Sequence, residues 1–266
     1  NCHSFQDYNR TGNMQMHFRG KDGGTLIIDD NIHKKVNPKA KELNSGVVYP
    51  SWHPKMDLIA YSLNTIGQNF HTTDKDKVEV MDSRSELAIY DVKNNSIKQL
   101  TFTDDQMETF PYWSPDGKYL YYVSAYYLPK TDAIENEIIE NYQTIKYDIY
   151  RISFNEKDTT FSDKELVYSA STENKSATFP RVSPDGKYLL FSMGNCGNFH
   201  IWHRSSDLFL LNLSDGKLMD TKVINSPDVE SYHSWSSNGR WIIFSSRRED
   251  GSYTRLYAAY FDKNGN

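Results

Sequence analysis

The chain has 266 residues, with 35 Asp or Glu against 30 Lys or Arg, for a formal net charge of −5. Hydrophobic residues make up 38% of it and aromatic residues 14%, a richness in rings that disordered chains lack and that suits one large all-β domain. There is no run of about 18 apolar residues, which excludes a transmembrane helix. The mildly acidic balance argues against a nucleic-acid binder. Two cysteines, Cys2 and Cys196, cannot build a disulfide framework. The opening Asn1-Cys2-His3 is polar and shows no signal peptide.

Read in chain order, the sequence repeats itself. Cys2-His3-Ser4-Phe5 leads to the strand-like Met14 to Phe18. Tyr49-Pro50-Ser51-Trp52-His53-Pro54 leads to Leu58 to Ser62. Phe110-Pro111-Tyr112-Trp113 and Ser114-Pro115-Asp116-Gly117 lead to Tyr119 to Val123. Phe179-Pro180-Arg181-Val182 and Ser183-Pro184-Asp185-Gly186 lead to Tyr188 to Ser192. Tyr232-His233-Ser234-Trp235 and Ser236-Ser237-Asn238-Gly239 lead to Trp241 to Ser245. The anchors Phe5, Trp52, Trp113, Val182 and Trp235 stand 47, 61, 69 and 53 residues apart. A third strand follows in most units (Glu86–Asp91, Tyr147–Ile152, Asp207–Asn212, Arg255–Tyr260), and a fourth at Ser96–Thr101 and Glu165–Tyr168.

Pro-Asp-Gly fixes a tight turn: Pro presets φ, Asp bonds to nearby amides, and Gly accepts positive φ. The flanking runs are β-branched and aromatic, as strands require. Four antiparallel strands cannot bury both faces alone, but units packed radially about an axis can. The predicted fold is therefore all-β: a β-propeller of four-stranded antiparallel blades, forming a single domain over 1–266. Five blades are expected, near 1–43, 44–104, 105–172, 173–226 and 227–266. The last unit lacks an evident fourth strand after Asp262. Its ring must be closed by a segment from the other terminus or by residues outside this chain, which leaves a sixth blade open.

The Trp-Ser-Pro-Asp-Gly-Lys-Tyr-Leu unit at Trp113 to Leu120 resembles the repeat of TolB-like, WD-like β-propellers of bacterial envelope proteins. It departs from that repeat at Lys55-Met56-Asp57, at Val182 and at Ser237-Asn238-Gly239. The resemblance implies a periplasmic or envelope-associated domain that binds a protein or small ligand. Cys2 to Phe5 with Met14 to Gly20, Cys196 to His203, and Tyr232 to Trp241 also resemble propeller segments of cytochrome-c-like envelope proteins of the Bacteroidetes type. That likeness implies a c-type haem held through Cys2 and His3, if a further Cys precedes Asn1.

Strand order assigns faces. If A is the innermost strand and D the outermost, the Pro-Asp-Gly turns join A to B at one end. The B–C loops and the D-to-A connections lie at the other. Residues 63–85, 124–146 and 193–206 are long B–C insertions, and long loops in compact domains tend to carry function. That face is the candidate binding surface, with Tyr126 and Tyr127 on it. Ala133, Ile134, Ile138 and Tyr142 predict a short amphipathic helix over 132–143.

His71, His200 and His203 fall in these insertions, and His3 and His233 near the starts of innermost strands on the same side. His3, His203 and His233 are the candidate metal ligands, since converging imidazoles bind transition metals. Their spacing fits no local metal motif, and the plainer reading is separate hydrogen-bonding residues. Glu108 and Glu230 occupy equivalent positions, five residues before Trp113 and Trp235. They can serve as paired carboxylates at the channel mouth, or cap loop amides and pair with Arg181, Arg247 or Arg248. Glu79, Asp82 and Arg84 can form an ion-pair cluster. There is no phosphate-binding Gly-rich loop and no nucleophile elbow.

The function expected from these residues is a non-catalytic binding or scaffold propeller. A haem- or metal-associated redox protein, with its site near the first and last blades, is the alternative. A polysaccharide lyase using His233, Arg247 and Glu230 is a weaker one. No resident cofactor is expected on the first reading.

Overall fold

The computed structural model describes residues 3–18, 20–21, 23–29, 32–38, 46–73, 76–131 and 133–262. Five antiparallel sheets follow one another along the chain. Blade 1 holds β1 (His3–Phe5), β2 (Met14–Phe18), β3 (Gly24–Asp29) and β4 (Ile32–Val36). Blade 2 holds β5 (Val47–Trp52), β6 (Leu58–Phe70), β7 (Val78–Asp91) and β8 (Ser96–Gln99). Blade 3 holds β9 (Gln106–Trp113), β10 (Tyr119–Tyr126) and β11 (Asp148–Asn155), with β12 (Thr160–Phe161) and β13 (Glu165–Tyr168) sharing the outer edge of β11. Blade 4 holds β14 (Ser176–Val182), β15 (Tyr188–Gly194), β16 (Asp207–Asn212) and β17 (Lys217–Met219). Blade 5 has three strands among the described residues, β18 (Glu230–Trp235), β19 (Trp241–Ser246) and β20 (Arg255–Tyr260). The architecture is the β-propeller that the repeat predicts.

The A–B turns are built as their sequence requires. Asp116 Oδ1 accepts hydrogen bonds from Ser114 Oγ (2.6 Å) and the Lys118 amide (3.0 Å), and Asp185 and Asn238 repeat this in blades 4 and 5. Gly117 takes φ +78°, and a Cβ there would stand 2.6 Å from the His53 ring. Blade 2, which lacks the motif, uses a different device. His53 Nδ1 accepts from the amides of Lys55 (3.1 Å) and Met56 (3.0 Å), doing the work of the missing Ser-Asp pair.

The aromatic residue before Pro has its own role. Tyr49, Phe110 and Phe179 all adopt left-handed φ (50°, 54°, 54°) at a bulge in their inner strand. A bulge re-aims a side chain. Here it turns each ring into a chain of rings in tilted and edge-to-face contact. Tyr49 and Phe110 are 4.1 Å apart, Phe110 and Phe179 4.5 Å, and Phe179 and Tyr232 4.8 Å. A left-handed non-glycine residue costs about 1–3 kcal/mol, which burial of a whole ring, about 1.5–3 kcal/mol, offsets. One ring from each of blades 2 to 5 thus fills the middle of the propeller.

Alternate residues of neighbouring sheets make the interfaces. Trp52 packs with Ile27 and Val36 of blade 1, and Trp113 with Ala60 and Leu87 of blade 2. Val182 packs with Val123 and Ile149 of blade 3, and Trp235 with Leu190 and Leu208 of blade 4.

Two of the predicted insertions differ from expectation. Residues 63–85 are not a loop: β6 and β7 stay paired from Leu58↔Asp91 out to Phe70↔Val78, with one bulge between Thr65 and Ile66, projecting as a ribbon beyond the blade. The helix is shorter than predicted, α1 over Ile134–Asn141, with Ile138 buried. Asp132 lies outside the described residues.

Candidate binding face

The three insertions fold onto one another. The β6–β7 ribbon lies under α1, with Met81 and Ile138 in one apolar cluster, and meets the 194–206 segment of blade 4 through buried polar groups. Besides the Arg204 amide donating to Asp76 at the ribbon turn, two buried contacts tie it there. His203 Nε2 donates to Glu79 Oε2 at 2.7 Å, both side chains being almost fully buried. Asp82 Oδ2 accepts from Asn64 Nδ2 (2.7 Å) and Asn198 Nδ2 (2.5 Å). Burial alone would lower the pKa of His203, but the hydrogen bond and charge of Glu79 outweigh it and the pKa ends up raised. Burial pushes Asp82 up to about 7 against the pull of its two amide donors. The predicted Glu79–Asp82–Arg84 cluster therefore does not form as such. The two carboxylates look across to blade 4, and Arg84 is exposed on a cavity of about 450 Å³ between blades 2 and 3, beside Glu86, Phe102, Asp104 and Tyr127.

The other predicted residues are placed as follows. His71 sits at the ribbon tip, its amide bonded to Lys77 O, its ring 6.3 Å from that of Tyr142. Tyr126 is exposed, and Tyr127 donates its hydroxyl to Glu137 Oε1 (2.8 Å), fixing α1 to blade 3. His200 is fully buried, with Nε2 3.0 Å from Cys196 O, and burial lowers it to about 3. Glu108 accepts from Thr103 Oγ1 (3.1 Å); burial and then the charge of Glu86 push it up to about 7. Glu230 accepts from the Ser226 amide, from the Ser226 and Ser246 hydroxyls and from Arg248 Nη2. Both carboxylates are buried and serve as caps of the connections between blades. Arg247 is buried against the Trp202 ring at 4.1 Å and bonded to Gly251 O. Its Nε and Nη1 have no protein partner among the described residues, and burial lowers its pKa.

The histidine trio His3, His203 and His233 does not converge. His203 is committed to Glu79 in the cap. His3 and His233 line a groove of about 510 Å³ together with Pro54 and Pro115 of the A–B turns, towards the opposite end from the insertions. The reason is geometric: a strand advances about 3.3 Å per residue, so three residues beyond Glu230 the chain has already left the insertion end. Both His233 nitrogens face backbone carbonyls, Ser231 O at 2.8 Å and Leu190 O at 3.2 Å, and burial lowers it to about 4. Among the described residues no three His, Cys, Asp or Glu side chains are grouped to hold a metal ion. Cys2, the haem-attachment candidate, lies outside the described residues. Cys196 is buried and free, and burial pushes its thiol up to about 11, the opposite of an activated nucleophile.

Asn64 and Asn198 were not expected in the site. Their partner is the same carboxylate, but Asn198 and Asp82 are 116 residues apart in sequence, and nothing local signals the contact. Among the described residues no helix is long and apolar enough to cross a membrane.

Comparison with known proteins agrees with the architecture. The protein Atu1656 of Agrobacterium fabrum is 26% identical over 183 residues, covering 62% of this chain and 59% of its own length, so the match spans well under two thirds of that relative. A solved structure assigned to TolB of Agrobacterium tumefaciens is 14% identical with a TM-score of 0.47, over 94% of this chain and 70% of that one. A puromycin-hydrolysing peptidase of Mycobacterium tuberculosis is 10% identical with a TM-score of 0.55, over 95% of this chain and 35% of the peptidase. The family described as the prolyl oligopeptidase N-terminal β-propeller domain matches residues 45–266, which takes in all of blades 2 to 5. The chain therefore belongs to the prolyl oligopeptidase N-terminal β-propeller family.

Proposed function

We propose that this propeller is a non-catalytic binding scaffold of the bacterial cell envelope that engages a protein partner through its insertion face. The observation that carries the reading is the asymmetry of the two ends. The A–B end carries short turns in blades 2 to 5 around the groove of His3 and His233, with Trp241 and Tyr260 exposed beside the last of them. The insertion end carries a packed cap with exposed Phe70, Phe102, Tyr126, Leu128, Ile139 and Tyr253. Clustered apolar and aromatic side chains at a surface mark interaction sites, and aromatic residues dominate binding energy where partners meet. The buried carboxylates and histidines of the cap are spent on holding the ribbon, helix and blade 4 segment together, which suits a preformed surface. The envelope location rests on the likeness to TolB-like repeats.

Photo-crosslinking in the native host tests this. A crosslinking amino acid at Tyr126 should trap a discrete partner, and one at Lys118 in an A–B turn should not. Phe102→Ala should weaken capture by about tenfold or more without shifting the melting temperature. Capture from the turn end alone, or from neither end, would overturn the reading.

A further inference from the structure

The ring has a seam between blade 5 and blade 1. Neighbouring inner strands pack in the order β1, β5, β9, β14 and β18, and among the described residues no comparable packing joins β18 back to β1. Both walls of the seam carry residues that every other interface buries. On the B strand, Ala60, Tyr121 and Leu190 are buried against the next blade, and their equivalent in blade 5, Ile243, is 37% exposed. On the C strand, Leu87, Ile149 and Leu208 are completely buried, and their equivalent Leu256 is 78% exposed. Facing them, the anchors Trp52, Trp113, Val182 and Trp235 are buried, whereas Phe5 is 41% exposed. Met14 repeats the pattern: it pairs with Phe5 as Ile59 pairs with Trp52 and Leu120 with Trp113, yet only Met14 is incompletely buried. Among the described residues β20 also lacks the outer strand that pairs with the third strand of every other blade.

We infer that the seam is the seat of one further blade, a four-stranded antiparallel sheet carried on the same polypeptide. The chemistry is dictated by continuity with the four existing interfaces. Blade 5 offers an aliphatic B–C face, which elsewhere receives an inner-strand aromatic or valine. Blade 1 offers that aromatic, Phe5, which elsewhere is received by an aliphatic B–C face. An object presenting an anchor on one side and aliphatic residues on the other is a blade. All four existing interfaces are made within one chain. Blade 1 still reaches blades 4 and 5 directly across the seam. Near its inner end the turn Gln6–Asn9 bridges it, Tyr8 donating its hydroxyl to Val182 O (3.2 Å) and Arg10 Nη2 donating to Ser237 O (2.6 Å). A second copy adding five blades as a continuation of the ring does not fit such an opening. Covering the exposed parts of Leu256, Ile243 and Phe5 is the driving force for the occupant.

Thiol labelling tests the inference. Leu256→Cys and, as an exposed control on an outer strand, Leu218→Cys are made in a Cys2→Ser background, where buried Cys196 reacts slowly. Each is made in the 266-residue chain and in the polypeptide expressed with its native flanking sequence. With flanks, Leu256→Cys should label about a hundredfold more slowly than Leu218→Cys, as expected for a site that opens only by local unfolding. Without flanks the two should label within about threefold of each other. Equal labelling with flanks overturns the inference. So does protection without flanks: if it grows with protein concentration a second copy covers the seam, and if it does not, five blades close on themselves. Amide hydrogen exchange of β20 in the two unsubstituted proteins gives the same comparison should the variants fail to fold.

Discussion

Asp82→Asn should change how stability depends on pH in a way ordinary acid unfolding does not. Asp82 stands fully buried between two asparagine amides, and burial raises its carboxyl from 3.8 to about 7. A folded pKa above the unfolded one means that the folded state holds the proton more tightly. The stability contributed is present below the unfolded value and lost as pH rises towards 7, where the folded state must carry a buried carboxylate. Raising this carboxyl from 3.8 to about 7 corresponds to about 4 kcal/mol. Asparagine imitates the neutral acid and keeps a carbonyl oxygen to accept from Asn64 or Asn198. The stability of the native protein minus that of Asp82→Asn should therefore fall by about 4 kcal/mol between about pH 4 and about pH 8, the variant being the more stable at the alkaline end. His203 and Glu108, also raised, contribute slopes of the same sign, but they are common to both proteins and cancel in the difference. Urea unfolding followed by tryptophan fluorescence at several pH values measures it. Parallel curves, with a constant gap across the range, would show that Asp82 titrates normally and that the reasoning is wrong.

Other substitutions probe the frame. Gly117→Ala should cost more than Gly186→Ala: both need φ above +70°, worth about 1–2 kcal/mol, but only at Gly117 would the new Cβ meet a neighbour, the buried His53 ring at 2.6 Å. Equal melting temperatures for the two would mean that His53 shifts freely. Phe179→Ala should destabilise by about 3–5 kcal/mol in chemical denaturation, since this ring touches Phe110 and Tyr232 at the centre of the propeller. A loss under about 1 kcal/mol would mean that the ring chain is not part of the cooperative core.

What the sequence discloses and what it withholds follow from the range of the forces involved. Pro-Asp-Gly is legible because its physics is local: Asp116 bonds to residues two positions away and Gly117 supplies its own φ. The alternating aromatics of each strand are legible because burial on a pleated sheet repeats every second residue. The blade 2 turn is legible as a departure at Lys55-Met56-Asp57, but His53 is not legible as the replacement, because its role depends on where an imidazole nitrogen sits relative to two amides. The ribbon over 63–85 reads as a loop because Gly67 and the polar residues around it weaken any strand signal. Its register is set instead by what lies against it, α1 on one side and Asn198 and His203 on another. Glu79 and His203 are 124 residues apart, so their pairing is a property of the closed arrangement alone. The same reasoning separates the metal trio from the site: His3, His203 and His233 share a side only if strand length is ignored, and a six-residue strand such as β18 carries its residues from one end of the ring to the other. Local chemistry thus fixes the blades, while the order in which they are brought together decides which carboxylates and imidazoles meet. In this chain they meet as buried struts beneath the insertion face, joining the ribbon to the blade 4 segment.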